Sequence, residues 1–235
     1  MNGTAVEGLA VDTLPLLKAI SASRRADLLK NAVLHRVAPG TILFEQGEIP
    51  NVQHIVVAGS AHLFGRSSAG REVLIETVGP PHLIIPAAVV TGLPYLMQAR
   101  VPEPSRFLLI HAATFRAAVA HDPVLARELI GSLAGQFRRM VRQVKNLKLR
   151  SSTQRVGCYI LALSKRQRTA DRAVLPYEKN LIASELGITR ESFSRALSAL
   201  QVASILVKGE TIIIRNPTRL AAESLFEPLI DGPDD

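Results

Sequence analysis

Residues 190–195 read Arg-Glu-Ser-Phe-Ser-Arg. On a helix, Glu191 and Arg195 stand four apart and share one face, so both can enter a major groove together. An arginine there can grip O6 and N7 of guanine. A carboxylate can accept from N4 of cytosine, and each contact is worth about 1–3 kcal/mol of base discrimination. Ser194 can touch a base or a thymine methyl, and Arg190 at the helix start suits a phosphate. The plainer alternative is a Glu191–Arg195 surface ion pair worth less than about 0.5 kcal/mol. Other chemistry has little material. The chain holds one cysteine, Cys158, which excludes an internal disulfide framework, a thiolate zinc site and a Cys-ligated iron–sulfur cluster. No Ser/His/Asp order, metal-ligand cluster or phosphate-binding loop is recognisable, so an enzyme is not expected.

The elements that would carry this face are legible upstream. Ala183 is small, as a close helix crossing requires, and Gly187 four residues later suits a tight turn with positive φ. Ile188 plugs that turn and Thr189 can cap the next helix. Leu181, Ile182, Leu186, Phe193, Leu197 and Leu200 supply apolar faces. The pattern predicts a helix-turn-helix, with an αα-hairpin in a helical core as the alternative. Residues 205–215, with Lys208-Gly209-Glu210 between Ile205–Val207 and Thr211–Ile214, predict a β-hairpin wing.

The formal net charge is +8 over 235 residues, and it is localised. Residues 127–172 carry 12 basic and 2 acidic side chains. Such a block favours a polyanion such as nucleic acid, or a membrane surface, against the alternative of a solvated helix face. Aromatics are 4% with no Trp, which argues against base-stacking platforms for single strands or RNA. Asp122-Pro123 starts a long helix reaching about Arg150, with Asp as cap and Pro in the first turn. Along it Leu133, Phe137, Met140, Val144 and Leu147 step by 4, 3, 4, 3. That is an a/d seam, read as a parallel dimer helix. The alternative is that the stripe packs on its own β domain. Arg138, Arg139, Arg142, Lys145 and Lys148 lie off the seam.

Residues 14–35 read as short helices with Ser23 as a cap. From Val37 to Ile110 short apolar runs alternate with Gly and Pro: Thr41–Phe44, His54–Ala58, Ala61–Phe64, Glu72–Val78, Leu83–Ile85 and Arg106–Ile110. These predict strands of an antiparallel sandwich, barrel or jelly roll. Val156, Tyr159, Ile160 and Leu163 form a helical face after Ser151-Ser152, with Cys158 packed beside it. No secretory signal or bilayer span is visible, so a soluble cytoplasmic protein without a membrane partner is expected.

The whole chain resembles the CRP/FNR superfamily of bacterial transcription regulators. The resemblance rests on Gly40-Thr-Ile-Leu-Phe44-Glu-Gln-Gly47-Glu48, Gly59 before Ala61–Phe64, Gly70–Thr77, Gly79-Pro80, the long helix and the Arg-Glu-Ser-Phe-Ser-Arg helix, over roughly residues 12–225. It implies an α+β fold: a cyclic-nucleotide-binding-type β-roll with N-terminal helices (1–121), a dimerisation helix (122–150) and a winged helix-turn-helix (151–235). It also implies a homodimer on palindromic double-stranded DNA, with half-sites about 34 Å apart. RNA polymerase would be a partner if the protein activates. Glu191, Ser194 and Arg195 look like the FNR branch, which prefers TTGAT-like half-sites; Arg190 before Glu191 also occurs in the CRP branch.

Members that bind cyclic nucleotides use a Glu of a Gly-Glu pair for ribose and an Arg-Ser or Arg-Thr pair for phosphate. Those places fall near Pro86, Tyr95 and Leu96, so cAMP is not expected to bind well: its phosphate would be buried unpaired. The effector region is instead apolar, with Phe64, Leu83, Ile84, Ile85, Ala87, Val89, Leu93, Leu96 and Met97 as its expected lining. The run Leu175-Pro-Tyr-Glu-Lys-Asn-Leu-Ile-Ala…Glu-Ser-Phe-Ser-Arg is similar to the DNR/NnrR-type regulators of denitrification, which implies haem-dependent nitric oxide sensing. His82 would be the axial ligand, with His62 second. An ordinary β-roll core and a hydrogen-bonded surface histidine are the alternatives. A β-roll regulator responding to another apolar ligand, to none, or acting without DNA also stays open.

Overall fold

A computed structural model describes residues 14–176 and 178–231. Residues 1–13 and 232–235 of the expected terminal domains, and Tyr177 of the denitrification-type run, lie outside the described residues. The chain divides into two compact units, Met1–Gln136 and Phe137–Asp235.

The first unit opens with α1 (Pro15–Ala19) and α2 (Ala22–Leu29). The side chain of Ser21, not Ser23, caps α2 by accepting from Arg24 N. Strand β1 (Val33–Val37) follows, where the sequence pattern predicts helix as far as residue 35. It pairs antiparallel with β7 (Ser105–His111), which also pairs with β3 (Val52–Ala58), giving the order β1-β7-β3. The other sheet has the order β2-β6-β4-β5, from β2 (Ile42–Phe44), β4 (Ala61–Arg66), β5 (Glu72–Val78) and β6 (Gln98–Arg100). All these pairs are antiparallel. The β3–β4 corner depends on Gly59, whose φ is +75 and where any Cβ would run into the Ser105 hydroxyl. Leu83–Ile85 is not a strand: only Leu83 bridges, to Ile55. Ile85 turns into the left-handed region, φ 40, and Pro86 starts α3 (Pro86–Thr91). For a β-branched residue that conformation costs about 1–2 kcal/mol. Gln53, fully buried, holds the turn by donating from Nε2 to the carbonyl oxygens of Ile84 and His54.

A helix absent from the sequence reading, α4 (Ala112–His121), precedes α5 (Pro123–Leu149). The Asp122 carboxylate accepts from Val124 N and Leu125 N, and Pro123 needs no acceptor there. Two clusters form the core of this unit. One joins Leu14, Leu17, Ile55, Leu83, Leu108 and Phe115 to Leu125 and Leu129 of α5, with Leu133 packed on its edge. The other holds Val37, Phe44, Leu63, Ile84, Tyr95 and Phe107.

In the second unit, Ser151 and Gln154 form a reciprocal capping box that starts α6 (Ser152–Arg166). Strand β8 (Arg172–Val174) joins β10 (Thr211–Ile214) and β9 (Ile205–Lys208) in the order β8-β10-β9. Between lie α7 (Lys179–Glu185) and α8 (Arg190–Gln201), and the chain continues through α9 (Pro217–Glu223) and α10 (Pro228–Asp231). One cluster unites Val156, Ile160 and Leu163 of α6 with Ile182 and Ala183 of α7, Phe193, Leu197 and Leu200 of α8, and Ile205 and Ile212 of the hairpin. Cys158 is buried and its thiol donates to Ser224 O at 3.2 Å.

Candidate nucleic-acid interface

The periodicity of α8 divides its side chains between core and solvent. Phe193, Ala196, Leu197 and Leu200 are buried, whereas Arg190, Glu191, Ser194 and Arg195 are exposed. The four residues expected to meet DNA therefore share the free side of one helix. Thr189 caps it, its Oγ1 accepting from Ser192 N at 3.2 Å. The Glu191 carboxyl lies below the usual carboxylate range because it accepts from its own backbone N–H and the Thr189 hydroxyl; Arg190 and Arg195 add to the effect. It is thus an ionised acceptor, the form that reads an amino group. Ser198, one turn beyond Ser194, donates to Ser194 O.

The angle of this helix is set by the turn before it. Gly187 has φ +63, and a Cβ there would come within 2.6 Å of Leu147 Cδ2. Arg155 of α6 reaches across to donate from Nη1 to Leu186 O at 2.7 Å. Burial lowers its pKa, but a guanidinium stays charged at neutral pH. Sequence reasoning missed Arg155, because a contact between residues 31 apart leaves no local spacing signal. It also missed the pair Arg150–Asp231. Arg150 donates from Nη1 to Asp231 Oδ1 at 2.6 Å and from Nη2 to Oδ2 at 2.7 Å, and further to Asn146 Oδ1 and Leu225 O. The two side chains are only 6% and 3% exposed. This bidentate clamp ties the end of α5 to α10.

The seam of α5 divides. Leu133 is half-buried against the first unit's core. Phe137 is 70% exposed, and Met140, Val144 and Leu147 are also exposed. Among the described residues, four of the five seam positions thus form an exposed apolar stripe in one chain.

The expected effector residues divide between two hydrophobic clusters and the surface. Leu83 and Val89 belong to the cluster with α1 and α5. Ile84 and Tyr95 belong to the other, with Ile85 and Met97 on its margin. Pro86 is buried at the start of α3, Ala87 lies exposed beside it, and Leu93 and Leu96 are exposed. Phe64 lies half-buried under Arg100, 5.0 Å from its ring centre. It faces a polar cleft of about 350 Å³ with Glu45, Gln46, Arg66, Glu72 and Gln98. His82 is exposed with Nδ1 3.1 Å from Gly79 O, and His62 is buried on β4. With the lining divided between two clusters and His82 at the surface, the arrangement does not present His82 to an apolar slot, as a haem ligated by it requires. Tyr95, at the place the resemblance gives to a phosphate-binding arginine, stacks on Phe44 at 3.6 Å and 14°. Burial, with Glu48 adding, pushes its phenol up to about 12, so it stays neutral, and a phenol in place of a guanidinium gives a phosphate no positive charge.

Comparison with known proteins agrees with this architecture. Residues 34–122 match the cyclic nucleotide-binding domain and residues 154–223 the Crp-like helix-turn-helix domain. The CRP-like cAMP-activated global transcriptional regulator of Mycobacterium tuberculosis (strain ATCC 25618 / H37Rv) is 25% identical over 187 residues, covering 77% of this chain and 84% of that protein. The cyclic AMP receptor protein of Thermus thermophilus is 24% identical over 206 residues, covering 87% and 94%. The structure of FixK2 from Bradyrhizobium japonicum superposes with a TM-score of 0.69 at 23% identity, covering 81% of this chain and 96% of that one. A nucleotide-binding-type β-roll, a long helix and a C-terminal helix-turn-helix, in that order, define a class of DNA-binding transcription regulator. The chain belongs to the CRP/FNR family. Among the described residues, no helix is long and apolar enough to cross a membrane.

Proposed function

We propose that the chain binds double-stranded DNA as a homodimer and regulates transcription from a palindromic operator with TTGAT-like half-sites. The observation that carries this reading is the free face of α8, where Arg190, Glu191, Ser194 and Arg195 stand together on a capped, core-anchored helix. The uncovered stripe of Phe137, Met140, Val144 and Leu147 supports the pairing of two copies along α5. Arg195 and Glu191 read bases, Arg190 holds a phosphate and the basic block upstream supplies salt-dependent affinity. Two M. tuberculosis and T. thermophilus relatives are named for cAMP. Here Pro86, Tyr95 and Leu96 replace the ribose and phosphate partners, which supports control by a signal other than a cyclic nucleotide. The branch resemblance names haem-borne nitric oxide, but the divided lining and the surface position of His82 speak against a haem held there, which favours another apolar effector or none; RNA polymerase is the partner of an activating form. The signal would bias α5 between poor and good spacing of the two recognition helices.

Anisotropy titration of a palindromic TTGAT-type duplex against a scrambled one tests this reading, with arms for cAMP, haem, and haem with nitric oxide. Preference for the palindrome is expected in at least one arm, and none from cAMP alone. Equal affinity for both duplexes in every arm overturns it.

A further inference from the structure

The exposed N-terminal turn of α8 holds a small hydroxyl network that the base-reading assignment does not use. Arg195 donates from Nη2 to Ser192 Oγ at 2.9 Å. Thr189 Oγ1 lies 3.1 Å from the same oxygen and donates to it. Ser192 is thereby an acceptor from both sides, and its backbone N–H is already spent on the Thr189 cap. The arginine that can read a base is therefore tied to one pair of hydroxyls.

A free arginine side chain samples many rotamers, and fixing it on binding opposes affinity. A guanidinium held in place by an acceptor on its own helix has lost part of that freedom beforehand. The geometry fits this role: residues three apart on a helix are neighbours, and Ser192 lies between the cap and the arginine. We infer that Ser192 is a positioning residue for base readout, fixing the Arg195 guanidinium through the Thr189–Ser192 hydroxyl pair so that it meets one base in a single orientation. The inference rests on the DNA-binding reading and names a specificity determinant within it.

The test uses the full chain and a duplex recovered by selection from randomised double-stranded DNA. Competition against every single-base substitution in one half-site gives a preference profile for wild type, Arg195→Ala, Ser192→Ala and Ser192→Thr. Alanine is at least as good a helix former as serine, so the fold is kept. Arg195→Ala should flatten one position. Ser192→Ala should flatten that same position by roughly threefold to tenfold, the range for one modest hydrogen bond, with the salt slope unchanged. Ser192→Thr keeps the hydroxyl and should restore the profile. The inference is overturned if Ser192→Ala leaves that position unchanged, or if it flattens a different one. It is equally overturned if Ser192→Ala weakens all duplexes alike with a smaller salt slope, the mark of a phosphate contact. A wild-type chain that selects no sequence refutes the DNA reading, and this inference with it.

Discussion

Phe137→Ala tests whether the stripe on α5 is covered by a second copy. Phe137 is 70% exposed in the single chain. A phenylalanine presents roughly 200 Å², so about 140 Å² is available for burial, about 3.5 kcal/mol at ~25 cal/mol per Å². Alanine would keep about a third of that contact, leaving a loss of about 2 kcal/mol per copy. In a two-fold pair the loss occurs twice, about 4 kcal/mol, or about a thousandfold in the dimer dissociation constant. Sedimentation equilibrium of the full chain measures that constant directly. Leu133→Ala is the comparison, because Leu133 packs on its own unit's core; it should lower stability to urea more than it weakens pairing. A dissociation constant for Phe137→Ala within about threefold of wild type would refute the seam.

Three further outcomes follow from buried groups. Asp231→Ala leaves Arg150 charged and buried without its bidentate partner, which should cost the second unit about 3–5 kcal/mol in urea unfolding; Arg150→Met with Asp231→Leu should recover most of it, and no recovery would refute the charge argument. His54 is buried, and burial, with His35 adding, lowers its pKa to about 4. As pH falls below about 6.5 the unfolded chain binds a proton that the folded chain refuses, so stability should drop by up to about 3 kcal/mol by pH 4; His54→Gln should flatten that slope, measured by urea midpoints. Burial pushes the Cys158 thiol up to about 12, Asp231 adding to it, so at pH 8 a thiol reagent should label the chain only after unfolding; rapid labelling of the native protein would contradict the packing.

What sequence could and could not reveal follows from the range of each signal. Caps, turns and the 3.6 period are local, and they placed the Asp122 cap, Gly187 at φ +63, the Thr189 cap and the split of α8 into core and free faces. Strand β5 emerged over Glu72–Val78 because its ends coincide with turn residues. Strand β1 was obscured because α2 stops at Leu29 with no glycine or proline to mark it. Strand β6 is three residues long and owes its existence to neighbours β2 and β4. Apolar character in 83–97 could not say where each side chain points: Leu83 and Ile84 are adjacent yet belong to different clusters, and Leu96 is exposed. Arg155 and Arg150 act on groups distant in sequence, Leu186 and Asp231, so only the folded chain brings them together.

The central claim is that two recognition helices, one per copy, act on half-sites one turn apart. Titration of a selected palindromic duplex, against the same duplex lengthened at its centre by about five base pairs, roughly half a helical turn, tests it most directly. The account predicts two chains per intact palindrome and an affinity on the lengthened duplex reduced to near that of a single half-site. One chain per duplex, or equal affinity for both spacings, would contradict it.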